Sequence, residues 1–160
     1  MNGLRLQERL SLALARLCRS SGSDFAALAL PAADYRLMRW NIVLGGRNAK
    51  VAQLKIKPGV GIGGMVLRHG TVYTVNEIEN AELLTECPVM LAERLTAGIA
   101  YPVQAEPGGY SGILLLGRRG RQAYEKKELP WAEAPLRLSE LTGDKADGGE
   151  AYTAPVDAKE

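Results

Sequence analysis

Between Leu4 and Cys18 apolar side chains return at Leu6, Leu10, Ala13, Leu14 and Leu17, with Arg5, Glu8, Arg9 and Arg16 set between them. Returns of three and four residues line one helical face, so the segment predicts an amphipathic helix. Ser20, Ser21, Gly22 and Ser23 end it, and the small, largely apolar run from Asp24 to Leu30, closed by Pro31, predicts a strand. From Tyr35 to Leu44 the period changes to two, with Met38, Trp40, Ile42 and Leu44 on one face and Tyr35, Arg39 and Asn41 on the other. That alternation predicts a half-buried antiparallel strand. A turn at Gly45, Gly46, Arg47 and Asn48 leads to a further strand, Val51 to Ile56.

The pattern then turns to glycine. Gly59 to Gly64 forms a glycine-rich loop before a short helix, Met65 to His69, which Gly70 stops ahead of a strand at Thr71 to Val75. A second short helix starts around Pro88. Two strands follow, Thr96 to Gln104 and Tyr110 to Gly117, around a Pro107, Gly108, Gly109 turn. The unbroken row Gly112, Ile113, Leu114, Leu115, Leu116 is buried on both faces in this reading and makes its strand a central one. A last helix, interrupted by Pro130 and Pro135, is expected from about Glu125 to Leu141.

The organisation is therefore one domain, residues 1–141, and a polar, flexible C-terminal tail, 142–160. The 160 residues suffice for one hydrophobic core. No apolar run approaches the ~18 residues of a membrane helix, and charges break up the N-terminus where a signal peptide would be uncharged. The expectation is a cytoplasmic protein without membrane contact. Cys18 and Cys87, far apart in such a protein, read as reduced thiols, and with His69 as the one histidine they make a poor metal site. The net charge is +2, and the tail from Thr142 is acidic, so the body is mildly basic. Its dense patch, Arg118, Arg119 and Arg121, has no interleaved aromatics and reads as a solvated turn, not a nucleic-acid surface.

The segments "SGSDFAALAL", "KIKPGVGIGG", "AGIAYPV" and "GYSGILLLG", behind an N-terminal helix, resemble the GAF domain family from about residue 4 to residue 141. Pro58, Gly59, Gly61, Gly64, Tyr101, Pro102 and Gly112 carry the resemblance most specifically. It implies an α+β fold: an antiparallel sheet of five or six strands with terminal helices on one face and a ligand pocket on the other. It also implies a homodimer paired through the terminal helices, for which Leu4 and Leu12 stand beside the main apolar face of the first one. Among GAF proteins the chain is most similar to the stand-alone nitrate-sensing type that works beside a sensor histidine kinase. The bilin-binding members are less similar, because Cys87 is followed by Pro88 instead of histidine.

A planar monoanion such as nitrate needs hydrogen-bond donors without excess charge, and helix N-termini supply them. Two helix starts are available: Ile62, Gly63 and Gly64, where glycine lets backbone approach a ligand closely, and Cys87, Pro88, Val89 and Met90, where proline suits the first helical position. Trp40 can form one wall. The resemblance implies such a pocket, made by a tryptophan on the second strand and two helix N-termini. It would have an aromatic where this chain has Cys87, and the smaller side chain would enlarge the pocket. No arginine or lysine is evident among these positions, so the site should favour nitrate over the sulfate dianion. Each piece also has a plainer reading: Trp40 as a core aromatic, the glycines as a tight turn, Cys87 as a small buried hydrophobe.

Other chemistry is weakly signalled. Gly59, Gly61 and Gly64 satisfy the dinucleotide-loop spacing but lack the long helix and the alternating strands and helices of that fold. His69 has no nucleophile at a recognisable spacing, and Glu77, Glu79, Glu82 and Glu86 read as solvated surface. The leading expectation is a non-enzymatic small-anion receptor, without cofactor, whose occupancy alters binding to a sensor histidine kinase. The alternatives are a redox enzyme using Cys87, of the free methionine sulfoxide reductase kind, and a structural GAF dimerisation module.

Overall fold

The computed structural model of the chain describes residues 2–32, 34, 36, 38–47, 49–76, 79, 81–104, 111–120, 124 and 136–137. The order is α1 (Asn2–Ser20), β1 (Phe25–Ala29), β2 (Ile42–Leu44), a 3₁₀ turn (Val51–Gln53), α2 (Gly61–His69), β3 (Tyr73–Asn76), α3 (Ala81–Leu84), α4 (Pro88–Glu93), β4 (Ala97–Gln104), β5 (Ser111–Arg118) and β6 (Leu136–Arg137). Five strands form an antiparallel sheet in the order β2-β1-β5-β4-β3, and β6 pairs parallel with β4 beyond the end of β3. The predicted central strand is β5, held between β1 and β4 along its length.

Alternation along these strands sorts the core into two layers. Ala26, Leu28, Ile99, Tyr101, Leu114 and Leu116 meet Leu10, Ala13 and Leu14 of α1 on one face. Ala27, Ala29, Ala100, Ile113 and Leu115 meet Ile62 and Val66 of α2 and Val89 and Met90 of α4 on the other. Small alanines on the second face let the helices come close. Gly98 of β4 does the same, since a Cβ there would press on Met90 and Ile62.

Several elements differ from the sequence reading. The alternation of Tyr35 to Leu44 is broken between Trp40 and Ile42: Met38 and Trp40 join the α2 layer, whereas Ile42 joins the α1 layer. Asn41 is the break. Its N–H donates to the Leu28 carbonyl and its Oδ1 accepts the Leu30 N–H at 2.7 Å, tying the chain to β1 while β2 pairs only from Ile42 to Leu44. The expected strand Val51–Ile56 is a 3₁₀ turn followed by a single bridge between Lys55 and Arg39. Val51 is buried there by turning, with the Leu54 N–H closing onto the Val51 carbonyl. α2 begins at Gly61, four residues before the expected start, because the Gly64 N–H closes the first turn onto Val60. Gly70, in the left-handed region, ends it as expected.

Residues 136–137 form a strand where a helix was expected. Pro135 cannot donate a helical hydrogen bond, and the free edge of β4 at Val103 and Gln104 offers a partner. The remainder of the expected last helix, Arg121, and the tail 142–160 lie outside the described residues. Arg118 and Arg119 are not a solvated turn: both side chains reach inward to carbonyl groups.

Gly112 is the tightest point of the central strand pair, since a Cβ there would run into the Ala29 carbonyl oxygen and Pro31. Gly112→Ala is expected to cost about 1–3 kcal/mol, lowering the melting temperature by several degrees. Gly120→Ala, where a Cβ meets nothing within 4 Å, should leave it unchanged. Thermal melts of the two variants check this.

Candidate functional site

On the sheet face away from α1, a cavity of about 350 Å³ opens between the start of α2, the start of α4 and the segment 53–57. Lys57 to Gly64 folds into a closed loop. The Val60 N–H donates to the Lys57 carbonyl, the Gly59 N–H to the Gly64 carbonyl and the Gly64 N–H to Val60. Gly59 and Gly61 take positive φ, 83° and 71°, and a Cβ on Gly64 would collide with the Lys57 carbonyl oxygen. The glycine pattern is thus the condition for α2 to begin here.

Trp40 is buried over this turn, and a Cβ on Gly63 would stand 3.0 Å from its ring. The missing side chain lets ring and helix start pack directly. Helix starts leave N–H groups without intrahelical partners. Here the Ile62 N–H lies near the Cys87 sulfur and opposes the rise of its pKa, and Gly64 is bonded within the turn. The Gly61 and Gly63 N–H groups have no hydrogen-bond partner among the described residues.

Of the eight residues singled out in the sequence, the structure brings Trp40, Ile62, Gly63, Gly64, Pro88 and Val89 to the cavity wall. Cys87 and Met90 lie behind it, both buried. The Cys87 Sγ donates to the Leu83 carbonyl at 3.1 Å. Burial pushes this thiol up, the Ile62 N–H partly opposes that, and Glu86 adds to it. The Cys87 side chain packs in the core and is not part of the cavity wall. Met90 fills the space over Gly98. The two helix starts are also unequal, since α4 has six residues against nine in α2. A short helix has few aligned peptide dipoles, so α2 is the stronger donor end.

The sequence reading missed Gln53, Leu54, Lys55, Ile56, Lys57, Val60 and Gly61, which also line the cavity. Lys55 and Lys57 correct the expectation of a site without lysine: both are exposed at its edge, and neither has an ion-pair partner among the described residues. They were hidden because Val51–Ile56 read as one more strand and was not assigned to the site. Among the described residues no group of His, Cys, Asp or Glu has the arrangement of a metal site, and no helix is long and apolar enough to cross a membrane.

A buried ion pair anchors the far end of α4. Glu93 is fully buried, and its Oε1 accepts from Arg119 Nη2 and from the Arg47 N–H, each at 2.8 Å. Arg119 also donates to the Glu93 and Gly45 carbonyls. The two cysteines are separated by the sheet, Cys18 packing with the α1 layer and Cys87 with the α2 layer.

An open antiparallel sheet with a helix across one face and a cavity under short helices on the other has clear counterparts among solved structures. A mutated NreA protein of Staphylococcus aureus, altered in its nitrate binding site, is 25% identical with a TM-score of 0.62; the match covers 76% of this chain and 96% of that one. The GAF domain of a Coxiella burnetii phosphoenolpyruvate-protein phosphotransferase is 20% identical, TM-score 0.64, covering 87% and 81%. The chain has the GAF fold and resembles NreA. A type II free methionine-R-sulfoxide reductase of Thermoplasma acidophilum, 15% identical with a TM-score of 0.63 over 86% and 92%, shares the GAF fold. No family model matches the chain, and no curated protein does.

Two outcomes follow from this geometry. Arg119→Ala, which strips Glu93 of its charged partner, is expected to cost about 3–5 kcal/mol, read by denaturant unfolding, while the Arg119→Ala, Glu93→Leu double variant recovers most of the loss. Cys87 in the folded protein should react with iodoacetamide at pH 8 far more slowly than an unfolded thiol, and 6 M guanidinium should abolish the difference; mass spectrometry of the labelled peptides reads both.

Proposed function

We propose that this GAF-fold domain is a receptor for a small anion, nitrate foremost, and that its occupancy is read by a sensor histidine kinase. The observation that carries the reading is the start of α2 at the cavity: the unpartnered Gly61 and Gly63 N–H groups, with Trp40 packed on the Gly63 backbone. A planar monoanion accepts two such N–H groups in one plane, and the helix end carries a partial positive charge of about half a unit. The similarity to NreA supports the choice of nitrate. The exposed lysines draw anions to the edge without entering the depth, so a dianion moved inward loses hydration that two neutral donors replace poorly.

The cavity itself weighs against a purely structural dimerisation module, whose pocket would be filled by side chains. The redox-enzyme alternative needs a second thiol within reach of Cys87. Cys18, the other cysteine, is across the sheet and donates to the Ser23 carbonyl at 3.3 Å.

At a nitrate concentration a hundredfold above the dissociation constant, binding stabilises the fold by about 2.7 kcal/mol, a shift of several degrees in melting temperature. Melts in sodium nitrate, chloride and sulfate at matched ionic strength should show a shift in nitrate beyond the other two. Equal shifts in all three, or none at tens of millimolar, count against the proposal. Gly63→Val, which drives a side chain against the Trp40 ring, should remove the nitrate response; Gly70→Ala, remote from the cavity, should retain it.

A further inference from the structure

The cavity is larger than the ion assigned to it. Its volume of about 350 Å³ falls at the lower end of the ~300–1,000 Å³ typical of pockets that hold whole small molecules. At roughly 30 Å³ per water, a four-atom ion at the start of α2 leaves most of that space to water. The water would lie against the few per cent of Trp40, Ile56 and Val89 that stay accessible, with Val60 and Pro88 nearer the opening. Apolar surface so arranged gains by meeting apolar ligand surface, about 25 cal/mol for each Å² withdrawn from water.

The charged groups at this cavity are of one sign, and Gln53 adds a neutral amide. The helix start offers N–H donors, the rim offers the ammonium groups of Lys55 and Lys57 without ion-pair partners among the described residues, and no aspartate or glutamate lines the wall. The lysines come to one edge because they are two residues apart on either side of Ile56, which points inward and is buried. Such a site selects an anionic head joined to an apolar body. A carboxylate has the planar O–C–O face that the anion-receptor reading requires of its ligand, and unlike nitrate it can carry a hydrocarbon group.

Resting on that reading, we infer that the cavity binds a small organic monocarboxylate, its carboxylate at the Gly61 and Gly63 N–H groups and its hydrocarbon body against Trp40, Ile56 and Val89. The lysines contribute charge at the opening and favour the ionised acid over its amide. The hydrocarbon body sets the affinity.

Titration calorimetry with the sodium salts of nitrate, acetate, propionate, butyrate and benzoate, and with neutral benzamide, tests the inference at matched ionic strength. Affinity should rise about fourfold per added methylene, the equivalent of ~0.8 kcal/mol, with benzoate tighter than nitrate and benzamide weaker than benzoate by tenfold or more. The Lys55→Gln, Lys57→Gln double variant should weaken every carboxylate and narrow the gap between benzoate and benzamide. If nitrate binds but the carboxylates show no rise with chain length, the inference is overturned and the anion-receptor reading stands. Benzamide binding as tightly as benzoate overturns carboxylate recognition alone, whereas failure of every anion overturns both.

Discussion

The end of β5 holds the two layers of the domain in register. Arg118 is the last residue of β5 and Arg119 the first beyond it, and their side chains leave in opposite directions. Arg118 turns toward α1: its guanidinium donates to the Ser21 and Gly22 carbonyls, where the helix ends, and stacks on Tyr124 at 3.9 Å. Arg119 turns the other way, to Glu93 at the end of α4 and to the Gly45 carbonyl before the 3₁₀ turn. One dipeptide thus ties the helix on one face to the cavity helix on the other. Desolvating two charges is expensive; the Glu93 Oε1 offsets it with two hydrogen bonds and Arg119 with three, whereas the buried Glu93 Oε2 has no hydrogen-bond partner among the described residues. Tyr124 adds its own anchor through a hydrogen bond with Ser23.

That tie explains why short elements suffice around the cavity. α4 has six residues and would not be stable alone. It is fixed at its end by Glu93, at its middle by Met90 over Gly98, and at its start by Pro88 and the Cys87 carbonyl, which accepts the Leu91 N–H. The cavity wall is therefore set by tertiary contacts, and little of it by helix propensity. α2 differs, since its start is written in the local chain through Gly59, Gly61 and Gly64.

This difference decides what was legible in the sequence. The row from Ile113 to Leu116 announced a strand buried on both faces, and the α1 stripe announced the helix that covers one of them. Trp40 and the glycines were likewise visible, because a large aromatic and a clustered absence of side chains are strong local signals. The switch of face at Asn41 was not visible: Met38, Trp40 and Ile42 alternate with Arg39 and Asn41, and the break is made by hydrogen bonds to β1, which only the fold supplies. The 3₁₀ turn at Val51–Gln53 was hidden for a related reason. Its β-branched and apolar residues satisfy a strand pattern, and burial of Val51 against the core settles the conformation. With the strand misread, Lys55 and Lys57 had no place in the site. The arginines were misjudged because a basic cluster beside glycines is usually solvated, and the pairing of Arg119 with Glu93 spans 26 residues.

The helix start at the cavity also constrains what any ligand must bring. Of the N–H groups of its first turn, Gly64 is spent closing the turn and Ile62 lies near the Cys87 sulfur, which itself donates a hydrogen bond to the Leu83 carbonyl. Two further donors, on Gly61 and Gly63, lack the side chains that would keep a ligand at a distance. A buried N–H without a partner is costly, so a ligand that accepts from both is favoured over one that accepts from either. That asks for two acceptor oxygens in one plane, a property of nitrate and carboxylate alike and not of chloride. In the proposed receptor, discrimination between the planar anions would pass to the rest of the cavity, where Trp40 and the aliphatic wall would meet the ligand's body and not its charge. In the proposed receptor the two tasks would be separate: glycine backbone would select the head group, and the side chains of the wall would select what is attached to it.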